Sequence, residues 1–159
     1  MNEFVIMTDA CCDLPNDLAV RYNIIPIPMN VTIDNKSYEC NIDEKHMTFD
    51  RFYTLLEASE SAMSSAVAMQ SFAEYMEIEL NAGRDILYIA FSSGLSATYQ
   101  NAEMAAQELR TRYPERKIFV VDSMCASGGE GLLVYLVAEE KAKGADMETL
   151  RDFAERTKR

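Results

Sequence analysis

The sequence has 159 residues, of which 48% are hydrophobic, and its 26 acidic and 15 basic side chains give a net charge of −11. This length predicts one globular domain with a substantial core, and the negative charge argues against nucleic acid and anionic membrane surfaces as partners. No apolar run approaches the roughly 20 residues that span a membrane, so we expect no transmembrane segment. The N-terminus runs directly into an apolar strand instead of a signal peptide, which favours a cytoplasmic protein.

The four cysteines show no pattern of a metal site or a redox motif. Cys11, Cys12, Cys40 and Cys125 form no CxxC pair and lack the spacing of a metal site. We therefore expect reduced thiols in the cytoplasm and no bound metal.

Short apolar segments alternate with amphipathic ones in the first half of the chain. Pro26 and Pro28 cannot donate hydrogen bonds to a sheet, which restricts their segment to an edge. Asp13 and Thr48 are the expected caps of the first two helices. In chain order, we predict a strand at 3–8, a helix from Pro15 to about residue 22, an irregular or edge strand at 24–33, a hairpin arm at 37–39, a helix after Thr48, a small-residue loop at 59–68, and a helix that begins at Met69 and ends at Gly83.

Residues 86–91 open the second half as an unbroken apolar run, which is typical of a strand buried on both faces. A helix begins at Thr98 with an apolar stripe and ends at Pro114. Another apolar strand follows from Lys117 to Val121. Two strands around one helix predict a parallel βαβ unit.

Two more helices complete the chain. Ser127 and Glu130 match a capping box, in which the serine caps a helix and the glutamate three residues later bonds back to it. We expect this helix to end near Gly144 and Asp146 to cap a last helix to about residue 157. The complete order predicts an α/β fold with a mainly parallel sheet flanked by helices.

Ligands of such sheets bind beyond the carboxyl ends of the strands. Polar and small residues follow the predicted strands there, and we expect them to converge on one rim. They are Thr8-Asp9-Ala10, Asn30, Ser92-Ser93 and Asp122-Ser123.

The stretch from Ile86 to Gln100 has the features of an anion site. A buried strand leads into a turn with Ser92, Ser93 and Ser96, and a helix N-terminus follows. Free amides at a helix start and nearby hydroxyls both donate to anions. The alternative is that these serines only cap a helix.

Four stretches together are similar in order and spacing to the DegV family: TDACCDLP at 8–15, the serines at 64–65, SSGLSATYQNA at 92–102 and VDSMCASGGEGLLV at 121–134. The resemblance covers the whole chain but only the family's N-terminal lobe. It therefore implies that residues 1–159 form the N-terminal α/β domain of a two-lobed DegV-like fold, and that the C-terminal lobe, which closes over the ligand, is absent from this chain.

The resemblance implies a bacterial fatty-acid-binding protein that is not an enzyme. In some members the bound long-chain fatty acid is presented to a fatty acid kinase for phospholipid synthesis. By matching positions, the ligands of the fatty-acid carboxylate are Ser64, Ser65, Ser92 and Ser93. We expect Asp9, Asn30, Ser96 and Asp122 to support them.

The chain departs from the family's pattern at three places. Ala66-Val67 stand where the family has Gln-Pro after its carboxylate-binding Thr-Ser pair, Ala97 replaces a glycine, and Ala10 replaces a serine. An apolar tunnel is expected for the acyl chain. Its predicted wall consists of Ile25, Ile27, Met29, Met69, Phe91 and Leu95.

Two enzymatic alternatives are open at this point. Asp9, Asp13 and Asp122 follow strands, as acids do in metal-assisted phosphatase-like enzymes. Ser93 could be the nucleophile of a serine hydrolase, although this requires a neighbouring base and the chain's one histidine, His46, is distant in sequence.

Overall fold

The computed structural model describes residues 3–158; residues 1, 2 and 159 lie outside this range. Within it, seven strands form two sheets. The strands are β1 (Phe4–Asp9), β2 (Ile24–Ile27), β3 (Met29–Ile33), β4 (Lys36–Cys40), β5 (Ala62–Ser64), β6 (Asp85–Ala90) and β7 (Ile118–Asp122).

The larger sheet is parallel and has the strand order β2-β1-β6-β7. All six residues of β6 are buried, as the unbroken apolar run predicted. β2 lies at the edge, where Pro26 is tolerated. The predicted α/β class and mainly parallel sheet are confirmed.

The smaller sheet is antiparallel and has the order β4-β3-β5. The predicted strand at 24–33 is in fact two strands, because the chain leaves one sheet after Ile27 and enters the other at Met29. The prediction of a loop at 59–68 is wrong for Ala62–Ser64, which pairs with Val31–Ile33. The sequence around residues 62–64 has no strand pattern of its own, because this short strand forms only by pairing with β3.

Six helices flank the sheets in the described part of the chain. They are α1 (Asn16–Tyr22), α2 (Phe49–Ala58), α3 (Met69–Asn81), α4 (Thr98–Arg112), α5 (Gly128–Ala142) and α6 (Met147–Thr157), and a short 3-10 turn occupies Ala10–Cys12. None of these helices combines the length and the apolar character that crossing a membrane requires.

Alternate side chains of the parallel sheet enter two cores. On one face, Ile6 and Leu87 pack with residues of α1, α5 and α6. On the other, Met7 and Tyr88 pack with residues of α3 and α4. This two-sided burial follows from helices covering both faces of a parallel sheet.

The helix caps give mixed results. Thr48 and Asp146 accept hydrogen bonds from the amides of Arg51 and Thr149, as predicted. Asp13 does not cap α1, whose first turn follows Pro15 without a side-chain cap.

The Ser127–Glu130 capping box is also wrong. Ser127 has φ 52° and ψ −133°, and its hydroxyl donates to Asp13 at 2.5 Å instead of capping α5. Glu130 turns inward, where the Thr8 hydroxyl donates to its Oε1 at 3.1 Å. Glu130 therefore joins α5 to the end of β1, and Ser127 joins it to the segment that follows.

Candidate functional site

The loops after β6 and β7 are hydrogen-bonded to each other at the carboxyl end of the parallel sheet. Ala90 and Asp122 are register partners at the ends of these strands. The Ser123 amide donates to the Ala90 carbonyl at 3.0 Å, and the Ser92 amide donates to the Cys125 carbonyl at 2.9 Å. The predicted convergence of these two polar loops is therefore present.

Asp9 joins the end of β1 to this pair of loops. Its completely buried carboxylate accepts hydrogen bonds from the Cys11 amide at 3.1 Å, the Tyr88 hydroxyl at 2.7 Å and the Phe91 amide at 3.0 Å. Hydrogen bonds to a charged group are the stronger kind. Asp9 thus fixes the point where the serine-bearing loop leaves β6.

Asp122 performs a similar role for Ser93. Its Oδ1 accepts from the amides of Ser93 at 3.1 Å and Met124 at 3.0 Å. Burial acts to raise the pKa of Asp122, but hydrogen bonds from the Ser93 side chain and from the Ser93 and Met124 amides outweigh it and hold the pKa below its usual value. Asp122 therefore stays ionised and orients Ser93.

The other two serines of the loop serve local turns. The Ser92 hydroxyl accepts from the Gly94 amide at 3.2 Å, and the Ser96 hydroxyl accepts from the Thr98 amide at 3.2 Å. The Ser96 and Thr98 hydroxyls also lie 2.9 Å apart within hydrogen-bonding distance. These contacts match the capping alternative for Ser92 and Ser96, whereas half-buried Ser93 is bonded to Asp122.

Several backbone amides in the turn after β6, which were predicted to be free for an anion, already have hydrogen-bond partners. Gly94 and Thr98 donate to serine hydroxyls, and Leu95 and Ser96 donate to the Ser92 carbonyl at 3.1 and 3.2 Å. The turn after β6 satisfies its own backbone, because Ser92 supplies both a side-chain and a main-chain acceptor.

The segment with Ser64 and Ser65 is anchored to the start of the same helix. The Val67 amide donates to the Thr98 hydroxyl at 3.3 Å, and the Asn101 side-chain amide donates to the Val67 carbonyl at 2.8 Å. Both serines are exposed. Two serine-bearing segments, 64–68 and 92–98, therefore meet at the first turn of α4.

Asn30 is not at the end of a strand of the parallel sheet, as predicted, but inside β3. Its carbonyl accepts from the Ser65 amide at 3.2 Å and the Ser65 hydroxyl at 3.3 Å. The sequence placed Asn30 wrongly because the break at Pro28 divides the predicted strand. Its contact with Ser65 comes from the pairing of β3 with β5.

Exposed apolar side chains flank the serines. Leu95, Met124 and Met63 are 69%, 63% and 68% exposed, although all three are large and hydrophobic. Met63 precedes Ser64, Leu95 follows Ser93 by two residues, and the Met124 amide shares Asp122 with Ser93. Exposed apolar residues near serines in the chain suit a ligand with a polar head and an apolar body.

The predicted tunnel wall is only partly present as exposed surface. Ile25, Met29 and Met69 are partly buried against the core, and Leu95 is exposed, but Ile27 is completely buried and belongs to the core. A cavity of about 160 Å³ that was not predicted lies between α2 and the smaller sheet. Its apolar lining includes Met29, Val31, Met47, Phe49, Phe52 and Tyr53.

The arrangement of the acidic residues does not favour the phosphatase-like alternative. Asp9 and Asp122 accept the loop hydrogen bonds described above, and Asp13 accepts from Ser127. In residues 3–158 no three His, Cys, Asp or Glu side chains are grouped to hold a metal ion. Each carboxylate instead braces a different loop contact.

The hydrolase alternative lacks a neighbouring histidine. His46 lies 3.5 Å from Glu39 at the smaller sheet, and Ser93 is bonded to Asp122. Within the described residues, nothing pairs Ser93 with a histidine base.

Sequence reasoning missed two residues of the site. Tyr88 was treated only as part of an apolar strand, but its hydroxyl bonds to Asp9. Glu130 was assigned to a cap, but it lies completely buried beside Thr8. The available signal for Tyr88 was a single hydroxyl in a strand buried on both faces, since buried tyrosine hydroxyls usually have a partner.

Comparison with known proteins identifies the relatives of this chain. A model of the family described as "Uncharacterised protein, DegV family" matches residues 3–159. A DegV domain-containing protein of Clostridium perfringens is 37% identical over 158 residues, which cover 99% of this chain and 54% of that protein. The chain spans about half the length of the curated relatives it matches.

Solved structures show the same fold. A DegV family protein from Thermus thermophilus, described for its fatty acid binding, has a TM-score of 0.82 and 29% identity over 99% of this chain and 54% of its own. The fatty acid kinase B3 protein of Streptococcus pneumoniae, loaded with linoleic acid, has a TM-score of 0.83 and 18% identity over 98% of this chain and 54% of its own. At the latter identity, the likeness concerns the fold.

Proposed function

Because this chain belongs to the DegV family, we propose that it binds a long-chain fatty acid by its carboxylate. Ser64 supplies one direct hydroxyl donor, and the Ser93 hydroxyl supplies the second by turning from Asp122 to the ligand. Ser65 and Ser92 belong to the same two segments and set their conformation, with Asp9, Asn30, Ser96 and Asp122 as supports.

One observation carries this proposal: both serine-bearing segments are fastened to the first turn of α4. Val67 and Asn101 anchor segment 64–68 there, and the 92–98 turn leads directly into the helix. We infer from this shared anchor that hydroxyls of both segments bind one ligand, and the positive end of the helix dipole favours a carboxylate near it.

The hydrogen bonds to the carboxylate account for only part of the binding energy. Hydrogen bonds to a charged group contribute roughly 1.5–3 kcal/mol each. Burial of an acyl chain contributes about 0.8 kcal/mol per CH₂, so a long chain supplies on the order of 10 kcal/mol before the costs of association. The serines thus select and orient the acid group, while the tail supplies most of the affinity.

We assign residues 1–159 to the N-terminal lobe of a two-lobed protein. A second lobe would cover the apolar side chains Met63, Leu95 and Met124, which stand exposed beside the serines. In this proposal the protein works in the cytoplasm as a carrier, not as an enzyme, and a fatty acid kinase receives the bound acid. The choice of this partner is motivated by the name of one solved structure with the same fold, the fatty acid kinase B3 protein loaded with linoleic acid.

Native mass spectrometry of the full-length protein, purified from bacteria, tests the proposal. We expect a co-purifying mass that matches a long-chain fatty acid, and its loss in a Ser64→Ala, Ser93→Ala double variant. Ser37→Ala, in an exposed strand of the smaller sheet, is the matched control and should retain the lipid.

The outcome that contradicts the proposal is a folded full-length protein without lipid whose thermal unfolding is not shifted by added oleate or palmitate. A bound divalent metal, released with loss of activity on a phosphate ester, would favour the phosphatase-like alternative.

A further inference from the structure

Glu130 is a buried acid for which the proposed carboxylate site has no direct use. It lies in the first turn of α5, and its side chain has no solvent exposure. The Thr8 hydroxyl donates to Oε1 at 3.1 Å. In the described residues, no donor reaches Oε2, which is also buried.

A buried carboxyl oxygen without a donor is costly when the group is ionised. The cost disappears when the group is protonated, because the oxygen then carries a hydrogen and becomes a donor itself. An acceptor is available on the neighbouring residue, since Asp9 directly follows Thr8, the residue bonded to Glu130, and the Asp9 charge is among the causes that raise the pKa of Glu130.

The charges around Glu130 favour the same state. Burial first, and then the charge of Asp9, raise its pKa to about 10. The other titratable groups that interact with it are neutral or acidic; they are Asp13, Cys11 and Cys12 from the segment after β1, and Tyr88 from β6. Burial and the surrounding acidic groups thus favour the uncharged carboxylic acid of Glu130 at neutral pH.

We propose that Glu130 donates a hydrogen bond from Oε2 to the Asp9 carboxylate and that this acid pair is the positioning device for the serine loop. Glu130 contacts no ligand in this role. It acts through Asp9, which also accepts hydrogen bonds from the Tyr88 hydroxyl and the Phe91 amide. Phe91 immediately precedes the serine loop.

The surrounding packing makes this link stiff. The Ser127 amide donates to the Cys11 carbonyl at 3.0 Å, so the start of α5 is bonded to the turn after β1. A Cβ at Gly131 would lie 2.4 Å from the Cys12 carbonyl oxygen, so only glycine permits this approach. With the backbones this close, the start of α5 holds the Glu130 carboxyl against the end of β1.

The inference concerns the same site as the proposed function and rests on it for its biological meaning. Its physical content is tested without ligand. Carboxyl ¹³C NMR of the 159-residue chain should show Glu130 titrating near pH 10, and the assignment is made by loss of that signal in Glu130→Gln. Titration near the ordinary glutamate value of 4.5 would overturn the proposal.

Amide hydrogen exchange then tests positioning. Glu130→Gln retains a neutral donor and should leave exchange of the Phe91 amide within about twofold of wild type. Glu130→Ala removes the donor and should accelerate it by about tenfold, the effect of losing one net hydrogen bond. Glu57→Ala, an exposed helical glutamate, controls for substitution in general. Equal exchange in all variants, with circular dichroism showing a native fold, would contradict the role.

Fatty-acid affinity of the full-length protein separates this inference from the proposed function. We expect about three- to tenfold weaker binding in Glu130→Ala and unchanged binding in Glu130→Gln. If exchange follows the prediction but wild-type protein binds no fatty acid, the acid pair stands and the proposed function fails. If wild type binds and Glu130→Ala binds equally well, the positioning role is wrong.

Discussion

The two sheets differ in how firmly they hold the serines they contribute. The parallel sheet is buried on both faces, and the loop with Ser93 leaves it through hydrogen bonds to buried Asp9 and half-buried Asp122. The antiparallel sheet has no buried residue in β4 or β5, and neither does α2 beside it. Ser64 therefore lies on a surface with little packing to restrain it.

This difference teaches how one site can combine a fixed and an adaptable half. Loops on a rigid scaffold keep a precise geometry, whereas poorly packed segments open at low free-energy cost. We infer that Ser93 orients the carboxylate and that Ser64 moves to meet it. The anchoring of Val67 to Thr98 and Asn101 keeps that movement local.

The strongest test of this difference between the two sheets is to replace one aspartate beside each sheet. Asp9 and Asp34 each accept hydrogen bonds from three donors, but Asp9 is buried and Asp34 is exposed. Asp9→Ala leaves buried donors unpaired and should lower the free energy of unfolding by about 3 kcal/mol or more, because each unpaired buried group costs roughly 1–3 kcal/mol.

Asp34→Ala should cost only about 1 kcal/mol, since water replaces the lost carboxylate. Urea unfolding followed by circular dichroism measures both values. Equal losses would show that the two regions do not differ in the way described.

Ser93→Ala probes the fixed half directly. It removes the hydroxyl that Asp122 orients and should weaken fatty-acid binding by about 1–3 kcal/mol while leaving the fold intact. Isothermal calorimetry on the full-length protein measures the change, with Ser37→Ala as the control. An unchanged affinity would reduce Ser93 to a turn residue.

The buried acid predicts a characteristic pH dependence. Because the folded pKa of Glu130, about 10, lies above the ordinary value of 4.5, the folded state binds the extra proton between these limits. This group therefore favours folding most at low pH and loses that contribution as the pH rises, by at most about 1.4 kcal/mol per pH unit. Glu130→Gln should remove this slope.

Denaturant unfolding from pH 5 to pH 9 checks the prediction by comparing the two slopes at matched ionic strength. Other groups contribute equally to both proteins, so the difference isolates Glu130. Parallel curves would mean that its carboxyl is ionised in the folded protein.

Ser64→Ala should have the smallest effect. Because Ser64 lies on the adaptable sheet, part of its hydrogen-bond energy is spent on ordering the segment, and we expect a loss of about 0.5–1.5 kcal/mol in fatty-acid binding. A loss larger than that of Ser93→Ala, measured in the same calorimetry series, would reverse the proposed division between the two halves.

The sequence predicted what repeats along the chain and missed what depends on distant partners. The apolar run of β6, the stripe of α4 and the caps at Thr48 and Asp146 follow from local patterns. β5 could not be predicted, because three residues become a strand only beside β3.

The site follows the same rule. Serine-rich turns are visible in the sequence, but the Asp9–Tyr88 bond spans 79 residues and the Thr8–Glu130 bond spans 122. Glu130 was misread because Ser-x-x-Glu fits a cap equally well on paper. Glu130 is a buried partner of Thr8 and not a cap because its side chain is buried. Whether a side chain in the first turn of a helix is buried depends on tertiary packing.

The central claim is that Ser64 and Ser93 bind one carboxylate. A crystal structure of the full-length protein with its co-purified or added fatty acid tests this most directly. We predict that one carboxylate lies within hydrogen-bonding distance of both hydroxyls and that the acyl chain extends along Leu95 and the neighbouring apolar side chains. A fatty acid bound elsewhere, or a carboxylate that contacts neither serine, would contradict the account.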